Sequence, residues 1–254
     1  FRDPVHVEAL SADILTLAVG DLDGDGDDDL IAGMDVAGTS TDSVIMIYKN
    51  TNGYTSANFN NPVTITLDSS GVDGNIFDIA SYDIDGDGND DIVAAAQDDN
   101  IIILKSPGGG TDTWVDSNWE SASSNWRVID DIGDDPLAID VGNLVGSSDK
   151  DIVVGRDSGS GNELYGYAHP GSDAFTSGTW SSIAFSSGAS SSSVPITDVA
   201  IGDFDDRFSA LFEFGLIGAQ LIGHHLGHRV WNLPDRHIGC QQSKRKDNRA
   251  CRRT

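Results

Sequence analysis

The feature that most constrains this chain is a short acidic loop that returns at a fixed interval. Four segments align: Leu17-Ala-Val-Gly-Asp-Leu-Asp-Gly-Asp-Gly-Asp-Asp-Asp-Leu30, Ile79-Ala-Ser-Tyr-Asp-Ile-Asp-Gly-Asp-Gly-Asn-Asp-Asp-Ile92, Ile139-Asp-Val-Gly-Asn-Leu-Val-Gly-Ser-Ser-Asp-Lys-Asp-Ile152 and Val199-Ala-Ile-Gly-Asp-Phe-Asp-Asp206. Their first loop positions, Asp21, Asp83, Asn143 and Asp203, stand 62, 60 and 60 residues apart. A period that regular marks one structural unit, and an array of such units buries its core between neighbours.

Each unit reads as strands. An apolar run enters the loop and a second leaves it, as Asp29-Leu-Ile-Ala-Gly33, Asp91-Ile-Val-Ala-Ala95 and Asp151-Ile-Val-Val-Gly155. A third follows after a turn, as Ser43–Tyr48, Asn100–Leu104 and Glu163–Tyr167. A fourth is expected at Pro62–Leu67 and Asn125–Ile129, with Phe1–Val7 as the matching piece before the first loop. The 29 glycines and the Ser/Thr/Asn/Asp clusters between β-branched runs suit an all-β chain with many turns. Four short strands per unit make a propeller blade. The expected architecture is therefore all-β: a repeat array of four-stranded blades, a partial β-propeller of about three blades plus the start of a fourth, over residues 1–206.

The chemistry sits in the loops. Calcium takes six to eight oxygen ligands in a flexible shell, and alternate residues of a curled loop aim at one centre. In Asp21-x-Asp23-x-Asp25-Gly26-Asp27-x-Asp29 and Asp83-x-Asp85-x-Asp87-Gly88-Asn89-x-Asp91, positions 1, 3, 5 and 9 would supply side chains. Asp27 or Asn89 would supply a backbone carbonyl, and Gly26 or Gly88 permits the sharp turn. Ala32 and Ala94 stand where an EF-hand has its bidentate Glu, and strands flank the loop, so this is not an EF-hand. So many carboxylates in nine residues repel one another unless a cation neutralises them, which argues against a merely polar turn. Magnesium fits less well because it demands a small octahedral shell. The third loop, Asn143, Val145, Ser147, Asp149 and Asp151, has lost the oxygen at position 3 and is expected to hold metal weakly or not at all. The fourth starts with Asp203 and Asp205 and stops at Asp206.

These loops resemble those of the FG-GAP/VCBS repeat family, whose blades carry a strand, an Asp-x-Asp-Gly-Asp-Gly-x-x-Asp-type loop and a second strand. The resemblance covers about residues 1–206 and implies a β-propeller similar to the integrin alpha-chain head, with Ca2+ between the first and second strands of each blade. It implies as ligands Asp21, Asp23, Asp25, Asp27 and Asp29, and Asp83, Asp85, Asp87, Asn89 and Asp91. The literal Phe-Gly and Gly-Ala-Pro sequences of the family are absent, which places the chain nearer the bacterial or archaeal VCBS-like variants. A closed propeller of this family has about seven blades, more than this chain holds.

Charge divides the chain in two. Residues 1–206 carry 6 Lys+Arg against 38 Asp+Glu, and residues 207–254 carry 9 against 3, within a formal net charge of −26. Such acidity disfavours nucleic acid and anionic membrane surfaces and favours cations. No signal peptide is visible before the first repeat, which reads as a processed chain or a fragment. Cys240 and Cys251 lie in the basic tail, so the repeats have no disulfide of their own, as in a secreted protein stapled by metal. From Arg207 the sequence reads as foreign to the array, and three explanations stay open: non-native sequence after a frameshift or assembly join, a membrane anchor, or a metal site at His224, His225 and His228. The apolar run is too short and too polar, with Glu213 and Gln220, to favour the anchor. The histidines lack the accompanying Glu of zinc proteases, and the cysteine spacing is not that of a zinc finger.

No nucleophile elbow, phosphate loop or dinucleotide fingerprint occurs in residues 1–206. No catalytic residue is assigned, and the carboxylates are better explained as ligands than as an acid/base pair. The expected function is a non-enzymatic, extracellular or cell-surface calcium-binding module for adhesion or for binding a protein or carbohydrate ligand. The alternative is the propeller domain of a secreted carbohydrate-active enzyme such as a polysaccharide lyase, against which stand the few basic residues of the array. Trp114, Trp119, Trp126 and Trp180 read as packing residues before they read as sugar platforms.

Overall fold

The computed structural model describes residues 12–35, 43–50, 62–67, 72, 74–97, 100–109, 114–120, 125–131, 135–144, 149–157, 164–171, 173–183, 195–202, 213–215 and 222–223. Three four-stranded antiparallel sheets follow one another, each an up-and-down meander with its strands in chain order. The first joins β1 (Ile14–Gly20), β2 (Asp29–Met34), β3 (Val44–Tyr48) and β4 (Val63–Thr66). The second joins β5 (Ile76–Tyr82), β6 (Asp91–Ala96) and β7 (Asn100–Leu104), then the short helix α1 (Asp116–Glu120) and β8 (Trp126–Asp131). The third joins β9 (Pro136–Gly142), β10 (Asp151–Arg156), β11 (Leu164–Ala168) and β12 (Ser181–Ile183). A short three-stranded sheet of β13 (Ala200–Gly202), β14 (Glu213–Gly215) and β15 (Ile222–Gly223) comes last. Phe1–Val7, His224, His225, His228, Cys240 and Cys251 lie outside the described residues.

The register repeats with the sequence. Leu17 faces Ala32, Ile79 faces Ala94 and Ile139 faces Val154, and the acidic loops are closed by the pairs Gly20 with Asp29, Tyr82 with Asp91 and Gly142 with Asp151. Each loop is therefore the hairpin connection between the first and second strands of its sheet. The all-β expectation and the strand positions of the first two units agree with this order. β12 was not expected: it is three residues long, and Ser181 and Ser182 are exposed on its polar edge, so no apolar alternation announced it.

The sheets are stacked, and alternation along the central strands shows how. Ile92 and Ala94 of β6 pack into a core shared with Ile31, Ile45 and Ile47 of the first sheet. Their neighbours Val93 and Ala95 pack into a second core with Ile139 and Ile152 of the third. Side chains of a strand point alternately to its two faces, so β6 is covered on both sides and reads as an unbroken apolar run. Each Ile so buried contributes about 1.5–3 kcal/mol. Trp119 is fully buried and meets Trp114 edge-to-face at 6.1 Å, Trp180 is buried in the second core, and Trp126 lies against the first. All four tryptophans are packing residues.

The first strands of successive sheets lie beside one another, β1 by β5, β5 by β9 and β9 by β13. Side chains stitch them together. Asp78 of β5 accepts from the Ile139 backbone N–H of β9 at 2.8 Å and from the Thr16 hydroxyl of β1 at 3.0 Å, and Asp140 of β9 accepts from the Ile201 N–H of β13 at 2.6 Å. One difference between equivalent positions follows from the stacking. Ile79 and Ile139 are 5% and 4% exposed because a preceding sheet covers them, whereas Leu17 is 57% and Val19 60% exposed, with no sheet before the first among the described residues.

Candidate metal centre

The first two loops have nearly the same internal wiring. The Asp21 carboxylate accepts from the backbone N–H groups of Asp25 and Gly26 at 3.1 and 2.9 Å, and Asp25 accepts from Asp27 N–H at 2.9 Å. In the second loop Asp83 accepts from Gly86, Asp87 and Gly88 at 2.8, 3.1 and 3.0 Å, and Asp87 accepts from Asn89 N–H at 3.0 Å. Gly26 and Gly88 sit at φ of 90° and 92°, where a Cβ would meet nothing, so the glycines are there for the backbone conformation rather than for space. The result is a curl with its carboxylates turned inward.

That curl gathers Asp21, Asp23 and Asp25 in the first loop and Asp83, Asp85 and Asp91 in the second, with one oxygen of each within 4.8 Å of the others. Asp29 and Asp87 stand outside these triplets. Asp23 is 8% exposed, and its Oδ1 has no hydrogen-bond partner. A buried carboxylate oxygen without a partner is costly, and here it points to an ion. Asp149 and Asp151 of the third loop belong to no such cluster among the described residues. Asn143 is described beside them, while Val145, Ser147, Asp203 and Asp205 lie outside the described residues.

The aspartate at position 9 has a further role that the ligand pattern did not suggest. Asp29, Asp91 and Asp151 are each fully buried. Asp29 accepts from Leu22 N–H at 3.2 Å and Asn50 N–H at 2.7 Å; Asp91 from Ile84 at 2.9 Å and Ser106 at 2.8 Å; Asp151 from Leu144 at 2.7 Å and His169 at 3.0 Å. In all three sheets this carboxylate clamps the second loop residue to the chain leaving the third strand. Burial pushes Asp29 and Asp91 up to about 7, against the opposing pull of their backbone donors.

Two lysines escaped the sequence reading. Lys49 Nζ pairs with Asp23, and Lys105 Nζ pairs with Asp85 and, at 2.8 Å, with Asp87. Each stands one residue past its third strand, in Tyr48-Lys49-Asn50 and Leu104-Lys105-Ser106, and that shared place was the available signal. Leu30 faces Tyr48, Ile92 faces Leu104 and Ile152 faces Tyr167, so the equivalent residue in the third sheet is Ala168. The unit that has Val145 in place of the position 3 carboxylate has therefore lost the matching lysine as well. One lysine beside the six aspartates from Asp21 to Asp29 leaves most of their charge uncompensated.

No helix among the described residues is long and apolar enough to cross a membrane. No family model matches the chain, and no curated protein matches it. Among solved structures it is similar to the rhamnogalacturonan lyase PL11 of Bacillus licheniformis, at 17% identity and a TM-score of 0.46, over 84% of this chain and 42% of that one. It is also similar to the exotype rhamnogalacturonan lyase YesX, at 15% identity and a TM-score of 0.48, over 83% of this chain and 39% of that one. A third is the rhamnogalacturonan lyase YesW, at 15% and 0.44, over 80% of this chain and 40% of that one. The chain thus spans about two fifths of the length of the structures it matches.

Proposed function

We propose that the chain is a calcium-rigidified array of propeller-type blades of the FG-GAP/VCBS kind, with one Ca2+ in each of the first two loops. The observation that carries this reading is the buried, partnerless Oδ1 of Asp23 inside a triplet of converging carboxylates. The repetition of the triplet in the second loop supports it. The side-by-side first strands support a propeller-like stacking of the sheets. Asp21, Asp23 and Asp25, with the Asp27 carbonyl and Asp29, would hold the first ion; Asp83, Asp85 and Asp87, with the Asn89 carbonyl and Asp91, the second. An ion there would displace Lys49 and Lys105 from the carboxylates and hold the buried Asp29 and Asp91 ionised. Its role is structural: it fixes the corner between the first two strands of a sheet and so the surfaces around it.

The ligand class we assign is carbohydrate, with the array serving a secreted carbohydrate-active protein. Adhesion, the expected function, draws no support from the described residues or from the comparisons. The solved structures are named for rhamnogalacturonan lyases, and a likeness this slight selects the polysaccharide to assay without arguing for it.

Thermal melts of the full chain in chelator, calcium and magnesium test the reading. With dissociation constants of about 10⁻⁴ to 10⁻³ M, 10 mM calcium adds about 1.4–2.7 kcal/mol per site, a rise of several degrees. Equal melting points in chelator and calcium would sink it. Rhamnogalacturonan incubated with the chain then separates binding from turnover.

A further inference from the structure

The two intact loops touch each other through specific hydrogen bonds. Asp90, which follows position 7 of the second loop by one residue, reaches back to the first: its Oδ2 accepts from Asp21 N–H at 3.1 Å, and its own N–H donates to the Asp21 carbonyl at 2.8 Å. Asp90 therefore ties the second loop to the first residue of the first. Gly20 makes room for it, since a Cβ there would stand 2.9 Å from Asp90 Oδ2.

A second link runs through Ser106. Its N–H donates to Asp91, the clamp of the second loop, and its hydroxyl donates to the carbonyl of Leu22 in the first. Leu22 N–H in turn donates to Asp29, the clamp of the first loop. One chain of hydrogen bonds thus joins the position 9 carboxylates of the two loops. Packing adds a third contact, because a Cβ on Gly24 would meet Asn89 Oδ1 at 2.8 Å.

Between the second and third loops these devices are replaced. Lys150 stands where Asp90 does and lies over the Tyr82 ring at 4.9 Å, with Tyr82 in the place of Gly20. His169 stands where Ser106 does; its Nδ1 accepts from Gly171 N–H at 3.0 Å, as the Ser106 hydroxyl accepts from Gly108, but its Nε2 has no partner. Among the described residues, the bridges occur between the two loops that retain a full ligand set and not between the second loop and the one that has lost position 3.

We infer that the first and second loops bind calcium cooperatively, each ordered loop holding the other in its binding shape through Asp90 and Ser106. This rests on the reading of both loops as calcium sites. Ordering Asp21 around an ion fixes its backbone, and through it Asp90, which stands in the second loop beside Asn89 and Asp91. Coupling between sites is reciprocal, so either ion assists the other.

Calcium chloride titrated calorimetrically into the full, chelator-stripped chain tests this. The expected result is two ions with a Hill coefficient above 1. The variant Asp23→Ala, which disables the first loop, weakens the second about fivefold or more, although Asp23 contributes nothing to it. Asp90→Ala keeps two ions but lowers the Hill coefficient toward 1. Ser106→Ala, which removes only a hydroxyl, shifts it the same way and guards against misfolding of the first variant. Two ions bound independently by the unaltered chain, with the second loop indifferent to Asp23→Ala, overturn the inference and leave the calcium reading standing. No ion bound at all overturns both.

Discussion

Removing Asp151 separates the two jobs that position 9 combines. The third loop lacks a carboxylate at position 3 and a lysine after its third strand, so Asp151 is left as a clamp alone. It is fully buried and accepts from Leu144 N–H at 2.7 Å and His169 N–H at 3.0 Å. Asp151→Ala strands both donors, at about 1–3 kcal/mol each, and part of that is returned by no longer burying a charge. The expected net cost is about 3 kcal/mol. Asp151→Asn keeps one acceptor and is expected to cost about 1–2 kcal/mol. Urea unfolding reads this as a drop in midpoint at unchanged slope. With the third loop read as holding no ion, the loss should be equal in chelator and in calcium, whereas the loss from Asp91→Ala should grow with calcium. A cost for Asp151→Ala below about 0.5 kcal/mol, or one that changes with calcium, would refute the clamp.

Two other outcomes follow from burial and charge. In chelator, the melting temperature should fall as pH rises from about 4 to about 7: Asp29 and Asp91 are pushed up to about 7 and Asp78 and Asp140 are also raised, all by burial, so their protonated forms favour the fold and that contribution is lost as pH climbs through the folded values. A flat profile over that range would contradict it, and calcium should reverse the trend by demanding the ionised forms. In urea unfolding, Ile79→Asp should cost more than about 4 kcal/mol by burying an unpaired charge, while Leu17→Asp at the equivalent but exposed position should stay within about 0.5 kcal/mol.

What the sequence disclosed was what its period carries. The loop positions and the runs of β2, β6 and β10 are written in local pattern, because a strand covered on both faces must be apolar throughout and a tight acidic curl must have glycine at its turns. β12 was illegible because a short polar edge strand has no such pattern. The clamping role of Asp29, Asp91 and Asp151 was hidden for another reason: their partners, Asn50, Ser106 and His169, stand well outside the loop, so spacing within the loop could only read them as ligands. Lys49 and Lys105 were missed because a strand had to fold back before they met Asp23 and Asp85. Asp90 looked like one more acid in an acidic loop until the neighbouring sheet placed Asp21 against it.

Equilibrium dialysis of the full chain against calcium, beside the double variant Asp23→Ala with Asp85→Ala, tests the central claim most directly. The account predicts two ions per chain, one for each carboxylate triplet, and none retained by the double variant. A chain that holds no calcium, or a double variant that still holds two, would contradict it.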